Sequence, residues 1–326
     1  MNNLLDPAIL FFVFGVLAGT VKSNLEIPPA ISRFLSLYLL MAIGLKGGFA
    51  LAQTGLSREV AVTLLLALGL AFAVPLLAYG LLSRLIDRFD AAALAATYGS
   101  VSAVTFITAI QHLDNQNIAY GGHMAAAMAL MESPAIFVAV LLANRLRHVM
   151  RSSTTGDAPA QPTMRLGHVL HEALTDGAQL LLLGALVVGM FAGGDGESAM
   201  KPFAVDLFKG MLAFFLLDMG LLVARNFKGL REGSWWLIGY GLLAPPVHAS
   251  IALGLSVLCG LSAGNATLLM VLAASASYIA VPAVLRHAIP EARPALYFGM
   301  SLGLTFPLNI LIGIPLYTQV AQRVLG

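Results

Sequence analysis

A chain of 326 residues that is 59% hydrophobic and only 10% charged, with a mean hydropathy of +0.86, has too few charges to cover a water-facing surface, since soluble domains carry about 25% charged residues. Its solvent is therefore expected to be a lipid bilayer. A formal net charge of +2 with no Lys/Arg-rich run gives no basis for a nucleic-acid partner, and the single cysteine, Cys259, excludes an internal disulfide.

The N-terminus, from Met1 to Asp6, has no basic stretch before its first apolar run, so it reads as an uncleaved first membrane helix. Ten apolar segments follow, near 8–22, 34–53, 59–83, 91–112, 121–143, 168–192, 203–224, 234–260, 264–288 and 293–322. Each is long enough to cross about 30 Å of hydrocarbon. Ile27-Pro-Pro29 breaks the chain after the first segment, and Pro75 and Pro245-Pro246 interrupt the third and eighth. Prolines are tolerated in membrane helices where neighbours or cavities satisfy the freed carbonyls. The polar stretch from Arg145 to Pro162, with its Ser, Thr, Gly and Pro, marks a solvated linker. The expected organisation is one five-helix unit over 1–144, a cytoplasmic linker over 145–166 and a second five-helix unit over 167–326.

If the N-terminus is outside, thirteen of the 18 Lys and Arg residues fall in inside segments, and Lys46, Arg58, Lys201, Lys209 and Arg323 fall outside. That asymmetry favours both termini outside. An odd number of helices per unit makes the second unit enter from the opposite side, so the units are inverted. Internal matches support a duplication. Met41-Ala-Ile-Gly-Leu45 answers Leu217-Asp-Met-Gly-Leu221 at an offset of 176; Ser100, Ser102 and His112 answer Ser275, Ser277 and His287 at 175. Met128-Ala-Leu-Met-Glu-Ser-Pro134 answers Ser301-Leu-Gly-Leu-Thr-Phe-Pro307 at 173. A near-constant offset along both halves is the mark of a repeat.

The run from Tyr98 to Phe106 and its echo from Ala274 to Pro282 are clusters of small and hydroxyl residues inside apolar segments. One such cluster is usually a packing surface. Two at corresponding places point to the substrate site of an inverted-repeat transporter, where broken helices aim their N-terminal N–H groups and positive dipole ends at an anion. The fold class expected is an all-α integral membrane protein of ten transmembrane helices in two inverted repeats, with broken helices 4 and 9 meeting at the substrate site. No Arg or Lys accompanies the clusters, which favours a small, singly charged anion over a phosphate or dicarboxylate. Glu132, just before Pro134, and Asp218 lie deep in apolar segments, where ionisable groups are costly and usually functional. Glu132 is suited to ligating sodium, carrying a proton or hydrogen-bonding across helices as a neutral acid. Asp114 is expected in a short outer loop, solvated, and Lys46 either pairs with an acid or snorkels to the surface. His112, His123 and His248 show no metal-ligand spacing, and no nucleophile elbow, His-Glu-x-x-His or P-loop occurs. An enzyme is not expected.

Several of these stretches together resemble the sodium-dependent bicarbonate symporters of the SbtA type: Ile27-Pro28, Ala42-Ile-Gly-Leu-Lys-Gly-Gly48, Gly99-Ser-Val-Ser-Ala103, Glu132-Ser-Pro-Ala135 with Ala143-Asn144, Ala273-Ala-Ser-Ala-Ser277, Leu285-Arg-His-Ala-Ile-Pro290 and Gly313-Ile-Pro-Leu316. The likeness covers nearly the whole chain. It implies a homotrimer in a bacterial inner membrane that moves bicarbonate inward with sodium, and a PII-like regulatory protein as a cytoplasmic partner. It implies an anion site at Gly99, Ser100, Ser102, Ala103, Ser275, Ala276 and Ser277, and sodium ligands among Thr105, Glu132, Ser277 and Tyr278. The chain departs from the family pattern at Tyr278, where an aspartate is usual, and at Glu132-Ser133-Pro134, where Asp-Ile-Pro is common. A carrier of another small monovalent anion or monocarboxylate, coupled to protons through Glu132, and a non-transporting anion receptor remain open readings of the same residues.

Overall fold

The computed structural model describes residues 6–55, 57–153, 175–230 and 235–326, and within these it holds helices and no strand. The chain sets its own helix starts. α1 (Pro7–Thr20) is capped by the Asp6 carboxylate, which accepts from the Ala8 N–H at 2.8 Å. α2 (Pro29–Thr54) also opens on a proline, whose fixed φ and missing N–H suit the first helical position. α3 (Arg58–Leu82) is capped by Ser57 and α4 (Arg88–Gly99) by Asp87. Then come α5 (Ala103–Asn115), α6 (Met124–Glu132) and α7 (Pro134–Ser153). Further on lie α8 (Gly177–Lys201), α9 (Phe208–Leu230), α10 (Trp235–Cys259), α11 (Ala263–Ala274), α12 (Ala280–Ala288) and α13 (Pro294–Leu325).

Seven stretches of the described residues are long and apolar enough to cross a bilayer, and Pro7–Thr20 and Ala263–Ala274 are apolar but shorter. Gly193, at φ 57° and ψ −148°, bends α8 near its end, a conformation that glycine reaches without steric cost. Leu10, Phe14 and Leu17 of α1, Leu65 and Leu77 of α3, and Leu243 and Val247 of α10 are exposed on the bundle's outside. In water they would form large apolar patches; in lipid they are solvated.

α1, α2, α8 and α9 pack on one another as a scaffold bundle, while α3 to α7 and α10 to α13 form a second bundle beside it. In the scaffold, α1 crosses α9 and α2 crosses α8 at glycines. A Cβ on Gly15 would lie 3.1 Å from the Gly220 Cα, and one on Gly48 would lie 2.8 Å from the Gly189 Cα. The two crossings also match in detail, because Gly19 meets Ala224 and Gly44 meets Ala185. Small residues bring membrane helices this close so that their backbones touch.

The second bundle is tied at both ends. At one end Arg147 of α7 makes a two-pronged pair with Glu291 (2.7 Å and 2.7 Å) and donates to the Ala288 carbonyl, and Arg293 reaches Asp90 at 2.7 Å. At the other, one oxygen of Glu59 accepts from the Ser262 N–H, the Ser262 hydroxyl and the Asn265 amide.

Several expectations change here. Pro75 and Pro245-Pro246 do not interrupt their helices; α3 and α10 run through them. Pro75 instead packs its ring on Gly99, where a Cβ would meet ring carbons at 2.5–2.7 Å. Residues 145–153, assigned to the linker, continue α7 as helix, and the linker from 154 onward lies outside the described residues. The segment expected from 168 begins its described helix only at Gly177, capped by Asp176. Asp114 lies in the last turn of α5 rather than in a loop.

Candidate functional site

α4 stops at Gly99 and α5 starts at Ala103, and likewise α11 stops at Ala274 and α12 starts at Ala280. The two non-helical stretches cross and bond to each other. The Ser102 N–H donates to Ser275 Oγ at 3.0 Å, and the Ser277 N–H donates to the Thr97 carbonyl at 2.8 Å. Ser275 Oγ in turn donates to the Leu272 carbonyl at 2.9 Å, and Asn309 of α13 donates to the Ala274 carbonyl at 2.8 Å. The C-terminal carbonyls left open where a helix stops are thus partly met by protein donors. Ser102 also caps α5: its Oγ accepts from the Thr105 N–H at 3.2 Å and the Thr105 hydroxyl at 3.0 Å. Ser277 Oγ accepts from the Val281 N–H at 3.3 Å inside the first turn of α12.

A cavity of about 430 Å³ opens against this crossing. Its walls include Ser102, Ala103 and Val104 at the start of α5, Ser277 to Ala280 at the start of α12, and Glu132, Ser133, Asp176 and Gln179. Among the described residues, no Lys or Arg lines it. The first-turn N–H groups of α5 and α12 have no carbonyl of their own helix to donate to, and they carry the positive end of the helix dipole. Pro282 removes one such donor from α12. The wall therefore offers amide and hydroxyl donors to an anion beside the carboxylates of Glu132 and Asp176, which suit a cation.

The residues singled out from sequence divide between wall and frame. Ser102, Ala103 and Ser277 of the anion set, and Glu132, Ser277 and Tyr278 of the sodium set, line the cavity. The others stand behind it. Gly99 packs on Pro75, Ser100 Oγ donates to the Glu132 carbonyl at 3.0 Å, Ser275 bonds Ser102 and Leu272, and Ala276 is buried. Thr105 is held by Ser102 and does not line the cavity. The Tyr278 hydroxyl donates to Met219 Sδ of α9 at 3.6 Å, which places a phenol between the two bundles. Asp218, also singled out, does not line the cavity; it accepts from Ser32 within the scaffold.

The model of the Na+-dependent bicarbonate transporter superfamily matches residues 7–322. The chain belongs to that superfamily. It is accordingly a multi-pass membrane transporter. A comparison with curated proteins returns no relative. For this superfamily member, sequence reasoning missed Asp176 and Gln179 of the wall. Gln179 of α8 exchanges contacts of 3.3 and 3.4 Å with Ser133 across the bundle interface, and Asp176 caps α8 by accepting from Ala178 and Gln179 at 3.0 and 3.1 Å. A signal for them existed: Asp176 and Gln179 are the last polar side chains before the run Leu180-Leu-Leu-Leu183.

Proposed function

We propose that this transporter is a secondary symporter that takes up bicarbonate together with sodium across the inner membrane. Ten spans in two inverted five-helix repeats, with helices four and nine broken, would place its site at the crossing of Ser100–Ser102 and Ser275–Ile279. The observation that carries this reading is the convergence of two helix N-termini, α5 and α12, on one cavity of about 430 Å³ that has hydroxyls and carboxylates and, among the described residues, no Lys or Arg. Dipole ends and hydroxyls suit a small monovalent anion, whereas phosphates and dicarboxylates usually draw an Arg. Glu132 and the hydroxyls of Ser277 and Tyr278 offer oxygens to a sodium ion that balances the anion's charge. The matched glycine crossings of α1 on α9 and α2 on α8 support the repeat, because an inverted duplication exchanges one crossing with the other.

Anion and sodium sharing one cavity must raise each other's affinity by the same factor. Calorimetric titration of the purified protein with bicarbonate, with and without sodium, tests this. Tighter bicarbonate binding in sodium, lost in Glu132→Gln, is expected; equal affinity in both buffers contradicts sodium coupling. Binding tightened by protons rather than sodium would instead select the proton-coupled reading.

A further inference from the structure

The two ends of α5 have different neighbours. Its N-terminal end is the serine-capped wall of the cavity. Its last turn carries Asp114 and Asn115, and both are fastened to the scaffold. Asp114 accepts from Lys46 of α2 at 2.8 Å and from the Tyr120 hydroxyl at 2.9 Å. Asn115 donates to Asp6, the cap of α1, at 2.7 Å, and its carbonyl oxygen accepts from Lys209 of α9 at 2.9 Å. Cations beside the C-terminal end of a helix also meet the negative end of its dipole. At the opposite end of the interface, Ser133 and Gln179 make neutral contacts of 3.3–3.4 Å.

The Lys46–Asp114 tie is less buried than the Arg147–Glu291 tie inside the second bundle. Arg147 and Glu291 pair with the Arg side chain 6% exposed, whereas Lys46 and Asp114 pair at 25% and 32% exposure. Partly exposed ion pairs are weak enough to open and close, while breaking a buried pair strands a charge. A second cavity, of about 700 Å³, lies at the fastened end around Lys46, Asp114 and Lys209. Its walls include Ile43, Ile110 and Met124, and the walls of the serine-lined cavity include Leu40, Val104 and Met128. On α2 and α6 these residues stand three or four positions apart, so about one helical turn of apolar side chains separates the two cavities.

We propose that Lys46–Asp114 and Lys209–Asn115–Asp6 form a releasable lock that fastens α5 to the scaffold and keeps the serine-lined cavity open toward Glu132 and Asp176. Release lets α5 shift, and the cavity around Lys46 gains access to the site. The lock rests on the reading of that cavity as the substrate site, and its test needs no transport.

A reporter cysteine at Ala283, on the exposed cavity wall, is placed in a Cys259→Ser background, and its labelling rate by a charged thiol reagent is read on purified protein without substrate. Lys46→Met, Asp114→Asn and the exposed Lys209→Gln are each expected to slow labelling by about two- to fivefold, the shift an exposed pair can deliver. The swap Lys46→Asp with Asp114→Lys is expected to restore the rate. Labelling unchanged in the single variants overturns the lock. So does labelling slowed as much in the swap as in the singles, which would mean local damage; Lys209→Gln, outside that pair, gives an independent answer if the pair variants misfold. Bicarbonate uptake measured separately on the same proteins distinguishes failure of the lock from failure of the transport reading.

Discussion

Ser102 combines two tasks that separate substitutions can pull apart. Its hydroxyl caps α5 through Thr105, and its backbone N–H holds the other strand of the crossing at Ser275. Ser102→Ala removes only the cap and is expected to cost about 1 kcal/mol in thermal unfolding while leaving measurable uptake. Ser102→Leu and Ser277→Leu put apolar bulk into the cavity and are expected to lower uptake at least about tenfold, as loss of a positioned binding group does, with the protein still folded. Uptake at the unsubstituted rate in both Leu variants would remove the crossing as the site. That Ser102 and Ser277 meet at one cavity was legible in the sequence, because two such clusters stand at corresponding places in the two halves. The division of labour was not. Ser100 and Ser275 carry the same sequence signal as Ser102 and Ser277, yet the first pair bonds backbone and the second lines the cavity. Only the path of the chain through the break decides which way each hydroxyl faces.

At the scale of elements, the helix crossings and the end ties set stability. Gly48 has no room for a side chain against Leu186 and Gly189, whereas Gly184, in the same contact's partner helix, has open space. Gly48→Leu is expected to abolish folded protein in size-exclusion profiles, and Gly184→Ala to leave the melting temperature unchanged or raised, since alanine lowers the entropy of the unfolded chain. Equal behaviour of the two variants would contradict the crossing. The tie between α7 and the residues before α13 carries a pH dependence. Burial alone would raise the Glu291 pKa, but the Arg147 hydrogen bonds and charge more than offset it and hold the carboxyl below the usual glutamate value. A carboxyl lowered in the folded state stabilises above its unfolded pKa of about 4.3 and loses that stabilisation as pH falls through the lower folded value. Glu291→Gln is therefore expected to melt lower at pH 7 and to show a flatter melting curve below about pH 4 than the parent; parallel curves would deny the tie. The prolines show where element-level reading failed. Pro75 looked like a break, yet α3 continues through it, and its ring packs on Gly99.

At the scale of the whole molecule, composition carried the class of fold: an apolar chain with 10% charge can only be solvated by lipid, the described residues are helical, and superfamily membership over residues 7–322 agrees with a transporter. What composition could not carry was the relation between bundles. Lys46 and Asp114 are 68 positions apart, and nothing in either segment's hydropathy says that they meet. Nor does pattern alone show that Tyr278 and Glu132, 146 positions apart, line one cavity. The central claim is sodium-driven bicarbonate transport through the serine-lined cavity. It is tested most directly by labelled bicarbonate uptake into proteoliposomes with and without an inward sodium gradient. Uptake stimulated by the gradient and lost in Ser277→Leu is the predicted result, and uptake of bicarbonate that is absent, or the same in both conditions, would contradict it.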